Sequence, residues 1–137
     1  MVLVVFYSSN IYSIFLPLRL STLCFYMGFC IYTVGIVTET IALHNFATTP
    51  VDKLVTKDLY RISRNPMYIG EVLKSIGIGL TCISWIYLLI AIVELILWHK
   101  VVLFEEGACL ELYGDAYQDY LNKTPRWIGI PKLRKND

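Results

Sequence analysis

The chain has 137 residues, of which 56% are hydrophobic and only 17% are charged, and its formal net charge is +1 at pH 7. This length leaves room for one domain, and a net charge near zero gives no support to a nucleic-acid partner. The mean hydropathy is +0.56, above that of ordinary soluble proteins. Charged residues largely avoid residues 1–43 and 76–99, so the pattern predicts a chain embedded in a membrane.

The cysteines give little indication of a disulfide framework or a metal site. The chain has 4 cysteines, none of them in a CxxC pair. This spacing predicts free thiols, with neither a disulfide framework nor a metal site. The N-terminus lacks a basic region ahead of its apolar residues, which argues against a cleaved signal peptide.

Several apolar stretches approach the roughly 20 residues that a helix needs to cross a bilayer. They are residues 2–18, 20–43, 67–85 and 86–104. Ser8, Ser9 and Asn10 interrupt the first stretch, so whether it crosses completely is left open. The last two follow so closely that they must form a helical hairpin turning near Ser84. We therefore predict an all-α polytopic membrane protein with about four transmembrane helices and an amphipathic helix after them.

The placement of lysine and arginine predicts the orientation of this single domain. Cations are concentrated in the loop of residues 44–66 and in the tail of residues 105–137, whereas the short turns carry only Arg19. The loop, the tail and both termini are therefore expected on the cytoplasmic side. The two N-terminal helices (residues 1–43) and the hairpin (residues 67–104) would lie in the bilayer.

The segment after Phe104 has helical periodicity, and we predict a helix over residues 105–121. Spacings of three and four place five of its residues on one face: Glu106, Leu110, Tyr113, Tyr117 and Tyr120. Glu105 begins the adjacent stripe, so both acids point to the apolar side, where a carboxylate needs partners. Those partners are a bound ligand or nearby arginines (Arg61, Arg64 or Arg126). A tyrosine stripe at helical spacing is more often packing or an interfacial belt than a ligand site.

Polar and small residues within the hairpin suggest further candidates. Glu94 lies about 16 Å below Glu105 on a continuous helix, and an acid inside a membrane is a functional candidate, although a hydrogen bond to a neighbouring helix explains it equally well. Gly70, Gly77 and Gly79 allow either close helix packing or the approach of a ligand. The Gly77-Ile78-Gly79 element is not a dinucleotide-binding fingerprint, because no strand precedes it.

Two segments resemble signatures of one family. Residues 60–70 (YRISRNPMYIG) resemble the YRxxRHPxYxG signature of the isoprenylcysteine carboxyl methyltransferase and phospholipid methyltransferase superfamily. The Glu105-Glu106 pair, with the tyrosines, Gly114 and Pro125-Arg126 that follow it, is similar to the second signature of that superfamily. The resemblance covers roughly residues 54–130. Asn65 replaces the usual histidine, which excludes a histidine base there, and Asp58-Leu59 replaces a common Gly-Pro.

The resemblance implies S-adenosylmethionine as cofactor, bound without a Rossmann domain. The implied cofactor site consists of Asn65, Pro66, Tyr68, Gly70, Gly77, Gly79, Glu105, Glu106 and Tyr117. Within it, the acidic pair would hold the polar end of the cofactor. Arg64 would orient the cofactor carboxylate or the substrate. Glu105 and Glu94 are candidates for a general base where the acceptor needs one.

These observations predict an S-adenosylmethionine-dependent methyltransferase with a lipophilic acceptor, which is a multi-pass membrane protein with its active site facing the cytoplasm. Its membrane would be the inner membrane in a prokaryote or the endoplasmic reticulum in a eukaryote. O-methylation of an isoprenylcysteine carboxylate is the first candidate reaction, and N-methylation of phosphatidylethanolamine is the alternative. A small proton-coupled transporter and an inactive scaffold are the rivals from other classes. The sequence leaves open whether the chain acts as a monomer or a homo-oligomer.

Overall fold

The computed structural model describes residues 2–50 and 52–130; the end of the predicted tail, residues 131–137, lies outside the described residues. All regular secondary structure in the described part is helical, with no strand. The helices are α1 (Val2–Ser13), α2 (Leu23–Ala47), α3 (Pro66–Thr81), α4 (Trp85–Tyr113) and α5 (Asp115–Lys123), and a 3-10 helix spans Asp58–Arg61.

Local sequence signals set the ends of these helices. The Thr22 and Ser84 side chains cap α2 and α4 by accepting hydrogen bonds from the N–H groups of Phe25 and Tyr87, both at 3.2 Å. Pro66 begins α3, where its missing N–H costs nothing. The turn between α3 and α4 lies at residues 82–84, which agrees with the hairpin predicted near Ser84.

The predicted C-terminal helix over residues 105–121 is not a separate element. Residues 105–113 continue α4 without a break, because nothing between Ile86 and Tyr113 interrupts helix formation. The chain turns instead at Gly114, whose φ of +53° suits a residue without a side chain. α5 then begins at Asp115, so the predicted single tyrosine face is divided between two helices.

Two described helices, α2 and α4, are long and apolar enough to cross a membrane. The 12 residues of α1 extend only about 18 Å, short of a hydrocarbon core of about 30 Å. The predicted count of four membrane-spanning helices therefore stays a prediction.

α2 and α3 pack antiparallel along a seam of glycines. Gly28 faces Gly77, and Gly35 faces Gly70, so closely that a Cβ atom on any of them would lie 2.7–2.8 Å from the backbone of the opposite helix. Such contact is available only to residues without side chains. The Lys74 ammonium on α3 adds ion pairs to Glu39 of α2 and to Glu71.

α4 packs antiparallel to both α3 and α1. On the α3 side, the aromatic ring of Tyr68 stacks on Trp98 at a centroid distance of 4.8 Å. On the α1 side, Phe6 contacts the same Trp98 edge-on at 6.0 Å, and Tyr12 stacks on Tyr87 at 6.3 Å. The short α1 is thus held against α4 by aromatic contacts along its length.

Candidate active site

A cluster of one buried acid, one buried arginine and one partly exposed arginine joins the two signature segments. The Glu106 carboxylate accepts hydrogen bonds from Arg126 Nε at 3.1 Å and Nη2 at 2.8 Å, and it forms an ion pair with Arg64 Nη2 at 3.0 Å. The side chains of Glu106 and Arg64 are only 9% and 8% exposed. Two of the three arginines considered as partners for the acidic pair, Arg64 and Arg126, therefore bind Glu106. The third, Arg61, does not.

Backbone contacts hold the first signature against the chain after α5. The Arg64 N–H donates to the Pro125 carbonyl at 3.0 Å, and the Gly129 N–H donates to the Ile62 carbonyl at 3.2 Å. The Asn65 amide donates to the Arg126 carbonyl at 3.0 Å. Asn65 therefore fixes the backbone of Arg126, one of the two cations that bind Glu106.

This bracing gives a prediction for the Asn65 side chain. Replacing Asn65 with alanine removes one hydrogen bond, worth about 1 kcal/mol, so we expect trypsin to cleave after Arg126 about fivefold faster. Asn122→Ala, on the exposed face of α5, is the matched control. Equal cleavage rates in the two variants and the parent chain would show that the amide does not hold this segment.

Glu105 has surroundings different from those of Glu106, and the prediction that both acids turn inward is wrong. Glu106 is buried, whereas Glu105 is exposed and accepts a hydrogen bond from the Tyr68 hydroxyl at 2.7 Å. Successive residues on an α-helix point about 100° apart. Because Glu106 points toward Arg64 and Arg126, Glu105 points outward. No cation pairs with Glu105 among the described residues.

The cluster retains hydrogen-bonding capacity and charge for a ligand. Two arginines around one glutamate leave one uncompensated positive charge. The Arg64 Nε atom is buried and has no hydrogen-bond partner, although burying such a donor unpaired costs about 1–3 kcal/mol. A buried donor of this kind is suited to an anionic group, and the nearby Glu105 carboxylate is suited to a donor or a cation.

Two of the tyrosines predicted on one face, Tyr117 and Tyr120, lie together on α5 and are buried. The Tyr120 hydroxyl donates to the Tyr60 carbonyl at 2.6 Å, and its ring lies 6.0 Å from that of Tyr117. Burial, and then the charge of Glu105, raises the pKa of Tyr60 to about 12, and burial also raises the pKa of Tyr117. These phenols are therefore neutral at physiological pH and act as packing groups and hydrogen-bond donors.

Glu94 lies apart from the cluster, buried at 3% exposure. Its two carboxylate oxygens contact the Ser9 hydroxyl at 2.5 Å and the Ser75 hydroxyl at 2.6 Å. Of the two explanations for this acid, the structure therefore shows hydrogen bonds to neighbouring helices. Ser9 and Ser75 were not predicted as partners, and Ser9 was noted only as one of the polar residues that interrupt the first apolar stretch.

The three glycines of the predicted cofactor site lie at helix contacts. Gly70 and Gly77 face α2, and a Cβ on Gly79 would lie 2.6 Å from the Leu88 side chain. Helix packing, one of the two explanations for these residues, therefore accounts for their lack of side chains. The structure brings together Arg64, Asn65, Pro66, Tyr68, Glu105, Glu106 and Tyr117 at the same end of the bundle.

The comparison with protein families agrees with the two signatures. Residues 13–116 match the family model described as phospholipid methyltransferase, which is more than half of the chain. The matched range includes the first signature and both glutamates but ends before Tyr117 and Arg126. No curated protein and no solved structure gives a significant match to the chain.

Proposed function

This chain belongs to the phospholipid methyltransferase family, and from that premise we propose that it transfers a methyl group from S-adenosylmethionine to a lipophilic acceptor. The family and the two apolar helices make it an integral membrane protein and, broadly, a membrane methyltransferase. The observation that carries the proposal is the cluster of Arg64, Glu106 and Arg126, with its unpaired buried donor. The family does not support the transporter alternative.

The residues of the cluster fit the polar end of the cofactor. Arg64 Nε would donate to the cofactor carboxylate, while Glu106, itself bound by Arg126, holds the guanidinium of Arg64 in place. Glu105 has no cationic partner among the described residues, so it would accept from a ribose hydroxyl or the cofactor ammonium. Asn65 acts here as a positioning residue through its hydrogen bond to the Arg126 backbone.

The reaction requires little acid–base chemistry from the protein. S-adenosylmethionine supplies an activated methyl group on a positively charged sulfur. The task of the chain is to align the acceptor and to exclude water. The rings of Tyr68 at the start of α3 and Phe6 of α1 both contact that of Trp98 in the middle of α4, and they would line the approach from the bilayer.

Two acceptor classes fit this site, and we place the amino headgroup of a phospholipid first. An ammonium acceptor needs an anion for binding and a base for its proton, and Glu105 beside the rings of Tyr68 and Trp98 offers the carboxylate and the aromatic faces. Glu106 is excluded from this role because its oxygens already bind two arginines. The description of the matched family favours the same order.

A prenylated cysteine carboxylate is the second acceptor class. It needs a cation and no base, and the excess positive charge of Arg64 and Arg126 favours it. Enriched membranes incubated with radiolabelled S-adenosylmethionine distinguish the two classes. Base-stable label in extracted lipid would support N-methylation, whereas base-labile label would indicate a methyl ester.

We further propose that α3 and α1 complete the membrane domain begun by α2 and α4. The cations between α2 and α3 and those after α4 would place the cluster on the cytoplasmic side, where the cofactor is available. Glu94 of α4 would stabilise this domain, because its carboxylate accepts hydrogen bonds from Ser9 of α1 and Ser75 of α3.

Cofactor binding by purified protein in detergent tests the proposed function. We expect S-adenosylhomocysteine to bind and both Arg64→Gln and Glu105→Gln to weaken binding by about tenfold, since each removes a charge-assisted hydrogen bond. Glu111→Gln, an exposed acid on the same helix as Glu105, is the matched control. If folded protein does not bind S-adenosylhomocysteine, the methyltransferase assignment fails.

A further inference from the structure

A pocket lies between α5 and the segment that precedes α3, and it has a volume of about 520 Å³. This volume is within the range of about 300–1,000 Å³ typical of small-molecule sites. None of Arg64, Glu106 and Arg126 lines it. It is therefore distinct from the cluster to which the proposed function assigns the cofactor.

Charge distinguishes this pocket from a passive surface cleft. Arg61 and Lys123 line it from opposite elements, the 3-10 helix and α5, and Asp119 is the only acid among the described residues of its wall. Neither cation forms an ion pair with a described residue. The wall thus has one uncompensated positive charge and two cationic donors directed at one space.

The other lining residues give the pocket a fixed shape and further polar groups. Tyr120 is buried in its wall and is held by the hydrogen bond from its hydroxyl to the Tyr60 carbonyl. Thr56 and Thr124 also line the space. A guanidinium and an ammonium beside hydroxyl groups are the donors that bind phosphate oxygens in proteins.

We propose that this pocket binds the phosphate group of an anionic ligand, either an anionic phospholipid headgroup or a free phosphate compound. The pocket residues follow α2 and α4 along the chain, and these are the two described helices long and apolar enough to cross a membrane. Cations beside membrane-spanning helices attract anionic lipids. With α2 and α4 in a bilayer, the pocket would therefore be near the level of the phospholipid phosphates.

Binding measured on the full chain in detergent tests this site with two probes. One is radiolabelled inorganic phosphate, and the other is short-chain phosphatidylglycerol, with short-chain phosphatidylcholine as the zwitterionic comparison. We expect Arg61→Gln and Lys123→Gln each to weaken binding of the anionic probe by about tenfold. Lys53→Gln, an exposed cation of the same loop outside the pocket, is expected to leave it unchanged.

The outcomes distinguish a lipid headgroup from a free phosphate compound, and they test whether the pocket binds phosphate at all. Binding of phosphatidylglycerol alone supports a lipid headgroup site, and competition between both probes supports a site for the phosphate group itself. Thermal unfolding verifies that the variants fold, and Lys123→Arg should retain binding because it keeps the charge. Absence of binding in folded protein, equal weakening by Lys53→Gln, or displacement of the probe by S-adenosylhomocysteine would overturn the proposal.

Discussion

Replacing Glu106 with alanine is expected to lower the free energy of unfolding by about 3 kcal/mol. The change leaves the guanidinium of Arg64, 8% exposed, buried without its carboxylate. It also leaves two positive charges close together, since Arg126 binds the same glutamate. Loss of one partner from a buried ion pair costs more than the pair contributed, because the remaining charge stays out of water.

Thermal unfolding in detergent measures this effect. Glu111→Ala is the control, because Glu111 lies on the same helix, is exposed and forms no ion pair with a described residue. An unfolding temperature of Glu106→Ala equal to that of the control would contradict a structural role for the cluster. Cofactor binding should fall in parallel, since Arg64 loses the group that orients it.

The glycine seam predicts the second large effect. In Gly77→Ala the new methyl group would lie 2.7 Å from the backbone nitrogen of Tyr32 and 2.8 Å from the carbonyl oxygen of Gly28. Since both are backbone atoms, the helices must separate, and we expect a loss of about 2 kcal/mol. The loss should appear as a lower unfolding temperature in detergent.

Gly107→Ala provides a control with the same chemical change. A Cβ on Gly107, within α4, meets nothing within 4 Å, so the substitution is expected to stabilise the helix by about 0.5–1 kcal/mol. The two variants should therefore differ in sign. A double change, Gly28→Ala with Gly77→Ala, should cost less than the sum of the single changes, because both act on one contact. Equal shifts for Gly77→Ala and Gly107→Ala would show that the seam is not closely packed in solution.

The sequence alone identified the family of this protein and the helical character of its fold. Apolar runs predicted an all-helical membrane protein, and the short gap near Ser84 predicted the hairpin of α3 and α4. The spacing within residues 60–70 and 105–126 identified the family that the family model also matches. These features depend on local composition and on order along the chain, both of which a single sequence contains.

Only the tertiary structure decided which groups face one another. Periodicity placed Glu105 and Glu106 on neighbouring stripes, but the position of Arg64 and Arg126 determines that Glu106 is the buried one. Likewise, the spacing of Gly70 and Gly77 allowed either helix packing or a ligand, and the position of α2 against them shows that they serve helix packing. Long-range contacts of this kind depend on where distant segments pack. The helical spacing within one segment does not show which other segment packs against it.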